Sequence, residues 1–434
     1  FEFFYRGITN PPNRYVQKSS SIRKQLRNER KRKDEKRIMQ LDSKTYTYSS
    51  KKSNNYILIF LGLVLLIINF VLGFSSKEFY FSYLTSYFFW LSILLGGIFF
   101  TLVHHGFSAT WSTVIRRVME NIIILMPVFT LLFFPIIVGM DKLFMWMPSH
   151  ELFNATDHLL QVKAPFLNKQ FFIARAVAYF TLWNVIAFYL YFTSTKHDRT
   201  GDHALLRKMS LFSMSPLAVL FFVSLTFVGF DLLMSLEPHW YSTMFGVYIF
   251  AGSFLVFLAF LTFTLIRLQD QGYLNGIVSK EHYHDLGKYL FAFTVFYCYI
   301  AGAQFYFIWY SNIPEETIWY LHRWVGTWKV ASVLLIFGKF VVPFFILVFR
   351  ASKRNTKVLK VMALWIIAIH YLDIHWIVMP TMHHDNVHLG AYDLFTMLGF
   401  TLVFVGMFRH IMSRNALIPI NDPELKHAIN HRNN

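Results

Sequence analysis

Residues 230–246 read FDLLMSLEPHWYSTMFG and set two carboxylates and a histidine between two almost wholly apolar stretches, 211–228 and 247–265. A carboxylate near the centre of a membrane helix costs about 2.5 to 3.5 kcal/mol, so such residues face a bundle interior, find partners and mark ion or proton routes. Asp231, Glu237 and His239 are therefore the first candidate functional residues. Pro238 has no N–H to donate and cannot continue a helix, so the chain is expected to turn back between Glu237 and Trp240. The stretch reads as a tight helical hairpin with acids at its tip.

The composition around it agrees. Of 434 residues, 55% are hydrophobic, 19% aromatic and only 15% charged, which is the make-up of an integral membrane protein and of no ordinary soluble domain. The net charge of +17 suggests nucleic acid until its distribution is seen: residues 1–54 hold fifteen Lys and Arg against five acids, so +10 lies in one tail. That pattern fits a basic extension beside anionic lipid rather than a nucleic-acid surface. Cys298 is the single cysteine, which excludes a disulfide within the chain, a CxxCH haem attachment and a cysteine ligand set for an iron–sulfur cluster. Electron transfer by this chain alone would need a quinone or a b-type haem.

Ten apolar segments follow the tail, each close to the roughly 20 residues a bilayer requires: 56–74, 83–103, 122–140, 171–193, 212–236, 241–265, 289–310, 328–349, 358–379 and 392–411. They divide the chain into a basic N-terminal extension (1–54), largely extended or docked on partners, a membrane domain (55–412) and a C-terminal tail (413–434). Loop charge tests the count, because Lys and Arg collect on the cytoplasmic side. With the basic tail inside, the inner connections carry Arg116 and Arg117, a set from Lys196 to Lys208, another from Arg267 to Lys288, another from Arg350 to Lys357, and the C-terminal basics. The outer loops carry only Lys77, Lys142, Lys163, Lys169 and Arg323. An all-α, ten-span protein with both termini cytoplasmic follows.

In that topology Glu237 and His239 lie near the outer boundary and Asp231 about 9 Å deeper, at about 1.5 Å per residue. Asp141 closes an outward span and Arg175 opens the next at similar depth. The ninth span carries His370, Asp373 three residues on along the same face, and His375 turned away. These groups are expected to make one outer-half polar cluster. Inward lie His104, His105 and Glu120, while Lys339, mid-way along the eighth span, needs a carboxylate partner or a lowered pKa. Asp231 has two readings, a proton or ligand site and a structural partner of Arg175. His383, His384 and His388 with Asp385, and His282 and His284 with Asp285, resemble metal sets in composition. Exposed loops gather histidine freely and no ligand spacing appears, so no metal site is assigned. No second histidine faces His370 at matched depth, so b-haem is not expected either.

The stretches FDLLMSLEPHWYSTMFGVYIFAGS, LGKYLFAFTVFYCYIAGAQFYFIWYSNIPEET, HYLDIHWIVMP and YLTSYFFWLSILLGGIFFTLVHH carry a resemblance. Together they are similar to the ActF-type membrane subunits of bacterial alternative complex III, within the NrfD-like family of polysulfide-reductase membrane subunits. The likeness runs from Tyr56 to about Arg414 and leaves the basic tail uncovered. It implies two four-helix bundles, spans two to five and six to nine, flanked by the first and tenth. It implies a bacterial inner-membrane location and a complex that oxidises menaquinol or ubiquinol and passes electrons to a cytochrome or terminal oxidase. Its partners would be a homologous membrane subunit (ActC), an iron–sulfur subunit, c-type cytochrome subunits and membrane lipids. The chain itself would bind no covalent cofactor, with quinone or structural lipid nearby. Proton half-channels in that family would fall here on Asp231, Glu237, His239, Asp373 and Lys339; no full quinol pocket can be matched.

Three function classes follow from these readings. The first is a proton-conducting, quinone-adjacent subunit of a respiratory oxidoreductase, catalytic only by membership of the complex. The second is a secondary transporter, which needs broken helices in inverted repeats; interior Pro is sparse, Pro127 and Pro135 being the main cases, and no inverted pairing of halves is evident. The third is a passive anchor whose buried ions only lock helices together.

Overall fold

In the computed structural model, which describes residues 46–432, the chain is an all-α polytopic membrane protein. Ten helices among the described residues are long and apolar enough to span a membrane: Lys52–Gly73, Lys77–Gly106, Thr113–Val138, Lys169–Thr200, Pro216–Leu236, Phe245–Asp270, Lys280–Ser311, Trp328–Leu347, Thr356–Thr381 and Ala391–Met412. All ten expected spans are present. Most of the basic extension lies outside the described residues. Its last part, from Tyr46, docks on the C-terminal segment, where the Leu417 N–H donates to the Tyr46 carbonyl at 2.9 Å.

The second and sixth spans are apolar all round because they are buried all round, and they form the centre. They approach closely enough that a Cβ on Gly96 would fall 2.4 Å from the Ser253 carbonyl oxygen, so only glycine fits there. Spans two to five pack as one group and six to nine as another, joined through the second and sixth. The first and tenth spans pair against the second, and the first exposes Phe60, Ile67, Val71 and Leu72. Two bundles with two flanking helices result.

An even number of spans puts Lys52 and Met412 on one face, the terminal face. The loops after the first, third, fifth, seventh and ninth spans occupy the opposite loop face. The C-terminal tail closes over the terminal face: Leu417 and Ile418 are buried, Asp422 pairs with Arg116, and His431 meets Asp285 at 2.7 Å.

Two sequence readings change in detail. The third span starts at Thr113, well before residue 122, because Arg117 and Glu120 neutralise one another and can be buried together. It is also broken at Met126-Pro127 and Phe134-Pro135, where each proline removes a helical hydrogen bond. The seventh helix starts at Lys280, so His282, His284 and Asp285 are helical rather than in a loop; Ser279 caps that helix and its hydroxyl lies 2.8 Å from His282 Nδ1.

Candidate functional site

Lys339 lies at the middle of the eighth span, inside a π-helical turn, Phe337–Val341. Pro343 supplies the local cause: it stands where an N–H would bond the Lys339 carbonyl, and its ring clashes with that carbonyl. The helix widens instead, with the Val342 N–H reaching the Phe337 carbonyl. Trp365 satisfies the freed Gly338 carbonyl from the ninth span, its indole N–H donating at 2.8 Å. Widened single turns of this kind recur at functional sites.

From that turn the Lys339 amine, 3% exposed, makes two hydrogen bonds and one ring contact. It pairs with Asp373 Oδ2, donates to His370 Nδ1 at 3.0 Å and lies 4.0 Å from the centre of the Tyr297 ring. The other Asp373 oxygen accepts from Tyr248 at 2.5 Å and from Tyr297 at 2.8 Å, and the two phenol oxygens lie 2.8 Å apart. His370 Nε2 lies 3.0 Å from the Ser92 hydroxyl, which donates on to the Phe89 carbonyl at 2.6 Å. With the amine donating to Nδ1, the imidazole proton belongs on Nε2. The network draws on spans two, six, seven, eight and nine, and its six side chains are buried. Lys339 and Asp373 form an ion pair with the His370 imidazole beside it. A proton added to or removed from this set has several hydrogen-bonded positions to occupy within a few ångströms.

The expected single outer cluster is instead several separate ones. Arg175 clamps Asp231 with two bonds, 2.9 and 2.7 Å, and Tyr179 donates to the same carboxylate at 3.0 Å. The guanidinium also donates to the Phe166 carbonyl at 2.9 Å and lies 3.8 Å from the Phe166 ring. Both Asp231 oxygens are thus held, and the contact joins the fourth and fifth spans. Glu237 forms a second cluster with Arg323 at 2.9 Å and His322 at 3.1 Å. Burial pushes the Glu237 carboxyl up, but Arg323 and His322 outweigh it and hold it below the ordinary carboxylate range. Arg323, expected as an outer-loop charge, is 1% exposed: it donates to the Trp376 and Ile377 carbonyls at the end of the ninth span and lies 3.6 Å from the Trp319 ring. His239 meets Asp157 at 2.5 Å, while the other Asp157 oxygen caps the short helix His158–Lys163. Among the described residues Asp141 accepts from Ser149, at 2.5 Å, and stands apart from these groups. His375, as expected, turns away from the Lys339 network and packs against Trp328 and Tyr371.

At the terminal face Glu120 receives His105 at 3.0 Å and Arg117 at 2.8 Å, and Arg117 reaches on to Asp198 at 2.5 Å. His104 lies beside this set, its Nδ1 donating to the Phe100 carbonyl at 2.8 Å. Ser92 and His105 share the second span thirteen residues apart, about 20 Å along its axis, so the two networks sit at mid-depth and at one boundary.

Tyr248, Tyr297, Ser92, Tyr179 and Asp198 escaped the sequence reading, and Arg323 was read only as a loop charge. Tyrosine and serine in an apolar run look like any other core residue. The four-residue spacing from Lys339 to Pro343 was a usable signal. Two surface clefts of about 390 and 440 Å³ lie elsewhere, one beside Trp111, Asp285 and His431, the other between the third and fourth spans beside Thr130 and Asn184. Neither is lined by the Lys339 network.

No protein-family model and no curated protein matches this chain.

Proposed function

We propose that this chain is a membrane subunit of a quinol-oxidising respiratory complex and that its Lys339–Asp373–His370 network relays protons in step with turnover. The family resemblance of the spans around Phe230, Tyr289 and His370 supports the first part. The observation that carries the second is the buried amine, which holds a carboxylate and an imidazole at once in a widened turn at mid-membrane. Ionisable groups at that depth are expensive, and proton relays are among the functions that retain them. Asp373 and His370 are the groups that exchange the proton, Tyr248 and Tyr297 are its neighbours on one side, and Ser92 lies on the other. His105 and Glu120 are the matching boundary cluster. In this reading Asp231 and Glu237 brace helices, each held by an arginine.

Membership is tested by affinity purification of the chain from its native membrane. Copurification of haem- and iron–sulfur-bearing subunits with quinol-dependent reduction of an acceptor supports it. A chain that comes away alone and transports a solute in vesicles supports the transporter reading instead.

A further inference from the structure

Glu78 opens the second span, while His383 and His388 lie in the loop after the ninth, some three hundred residues away in sequence. The fold brings one ligand atom of each to within 4.8 Å of the others. His388 Nδ1 stands 3.4 Å from Glu78 Oε1. Two ligands bonded at 2.0–2.1 Å to a tetrahedral cation lie about 3.3 Å apart, so this edge already has the spacing of a metal site. The two imidazole centres are 5.0 Å apart and inclined at 44°, side by side rather than hydrogen-bonded.

Three further features surround the same point. His383 Nε2 is buried and finds no hydrogen-bond partner. Asp393, 3% exposed, uses one oxygen to cap the tenth span at the Gly390 N–H, and its other oxygen is likewise without a partner. Gly390 leaves open the space in between: a Cβ there would fall 2.4 Å from Glu78 Oε1 and 3.2 Å from the His388 ring. Buried polar atoms left unsatisfied in this way call for a partner, an ion among them.

We propose that Glu78, His383 and His388 form a binding site for a zinc-class divalent cation on the loop face. Two imidazoles and a carboxylate suit such a cation better than calcium or magnesium, which take oxygen ligands. Closing the remaining edges takes a rotation of the exposed His388 ring, and a fourth position stays open to water. Asp393 then balances the added charge from behind. His384 and Asp385, adjacent in sequence, take no part: His384 packs toward His322. A bound cation would tie the start of the second span to the loop leaving the ninth, the helix that carries His370 and Asp373.

The test uses the untagged full chain in nanodiscs, stripped with chelator and titrated with cobalt(II) as a spectroscopic probe and with zinc(II). The expected result is one saturable site per chain with tetrahedral cobalt absorption, displaced by zinc, and at least tenfold weaker binding in His383→Ala and in Glu78→Gln, with His384→Ala unchanged. All three variants lie at the loop face, and their thermal melting without metal reports folding independently. No saturable binding, or binding of equal strength in His383→Ala and the parent, overturns the site.

Discussion

Pro343 stands one helical turn beyond Lys339, at the position whose N–H would otherwise bond the Lys339 carbonyl, and the helix between them is a π turn. The proline thus sets the direction in which the buried amine leaves its helix. Pro343→Ala restores the missing donor and lets the turn tighten to an α-helix. A proline inside a helix costs about 3 kcal/mol, so the variant should melt no lower than the parent. Its proton-coupled turnover should nevertheless fall by about tenfold, equivalent to about 1.4 kcal/mol of lost positioning. Parallel melting and turnover measurements separate the two effects.

Lys339 and Asp373 form a buried pair, and removing one partner leaves the other charged and alone. Lys339→Met should destabilise the protein by about 3 to 5 kcal/mol, and Lys339→Met with Asp373→Leu should recover most of that stability. Proton movement should not recover with it. Recovery of both in the double variant would reduce the network to a clamp between helices.

Arg175 and Asp231 should behave in the opposite way. Arg175→Met alone should cost about 3 to 5 kcal/mol, since Asp231 loses both arginine bonds. Arg175→Met with Asp231→Leu should restore stability and turnover together, as a brace requires. Melting and quinol turnover of the double variant decide it; a stable double variant without proton coupling would return Asp231 to the relay.

The loop face should lose stability in acid through Glu237. Its carboxyl is held below the ordinary value of about 4.3 when folded, so the unfolded chain binds the proton more readily. The stabilisation is therefore full above about pH 5 and is lost as pH falls through the lowered folded value. Glu237→Gln should melt lower at neutral pH and show a flatter dependence below about pH 4. Melting curves of the parent and the variant between about pH 3 and 7 check this.

The ten spans were legible because a bilayer demands about 20 apolar residues per crossing and the chain supplies ten such runs. Lys339 and Asp373 were legible one at a time, since a charge in an apolar run stands out. Their pairing was not, because it depends on how the eighth and ninth spans face each other. Tyr248, Tyr297 and Ser92 were invisible for the opposite reason: they differ from core residues only in one hydroxyl. Arg117 and Arg323 were read as loop charges because sequence shows a cation near a span end but not the carboxylate or carbonyls that fold over it. The same limit hid Glu78, which meets His383 and His388 only through the packing of the second span against the loop before the tenth.

If the mid-membrane network relays protons, disabling it must lower the number of protons moved per electron. The most direct measurement is the proton-to-electron ratio of the assembled complex in sealed vesicles, comparing the parent with Asp373→Asn. A lower ratio, with electron transfer retained and all subunits present, is the predicted result. An unchanged ratio in a fully assembled Asp373→Asn complex would contradict it.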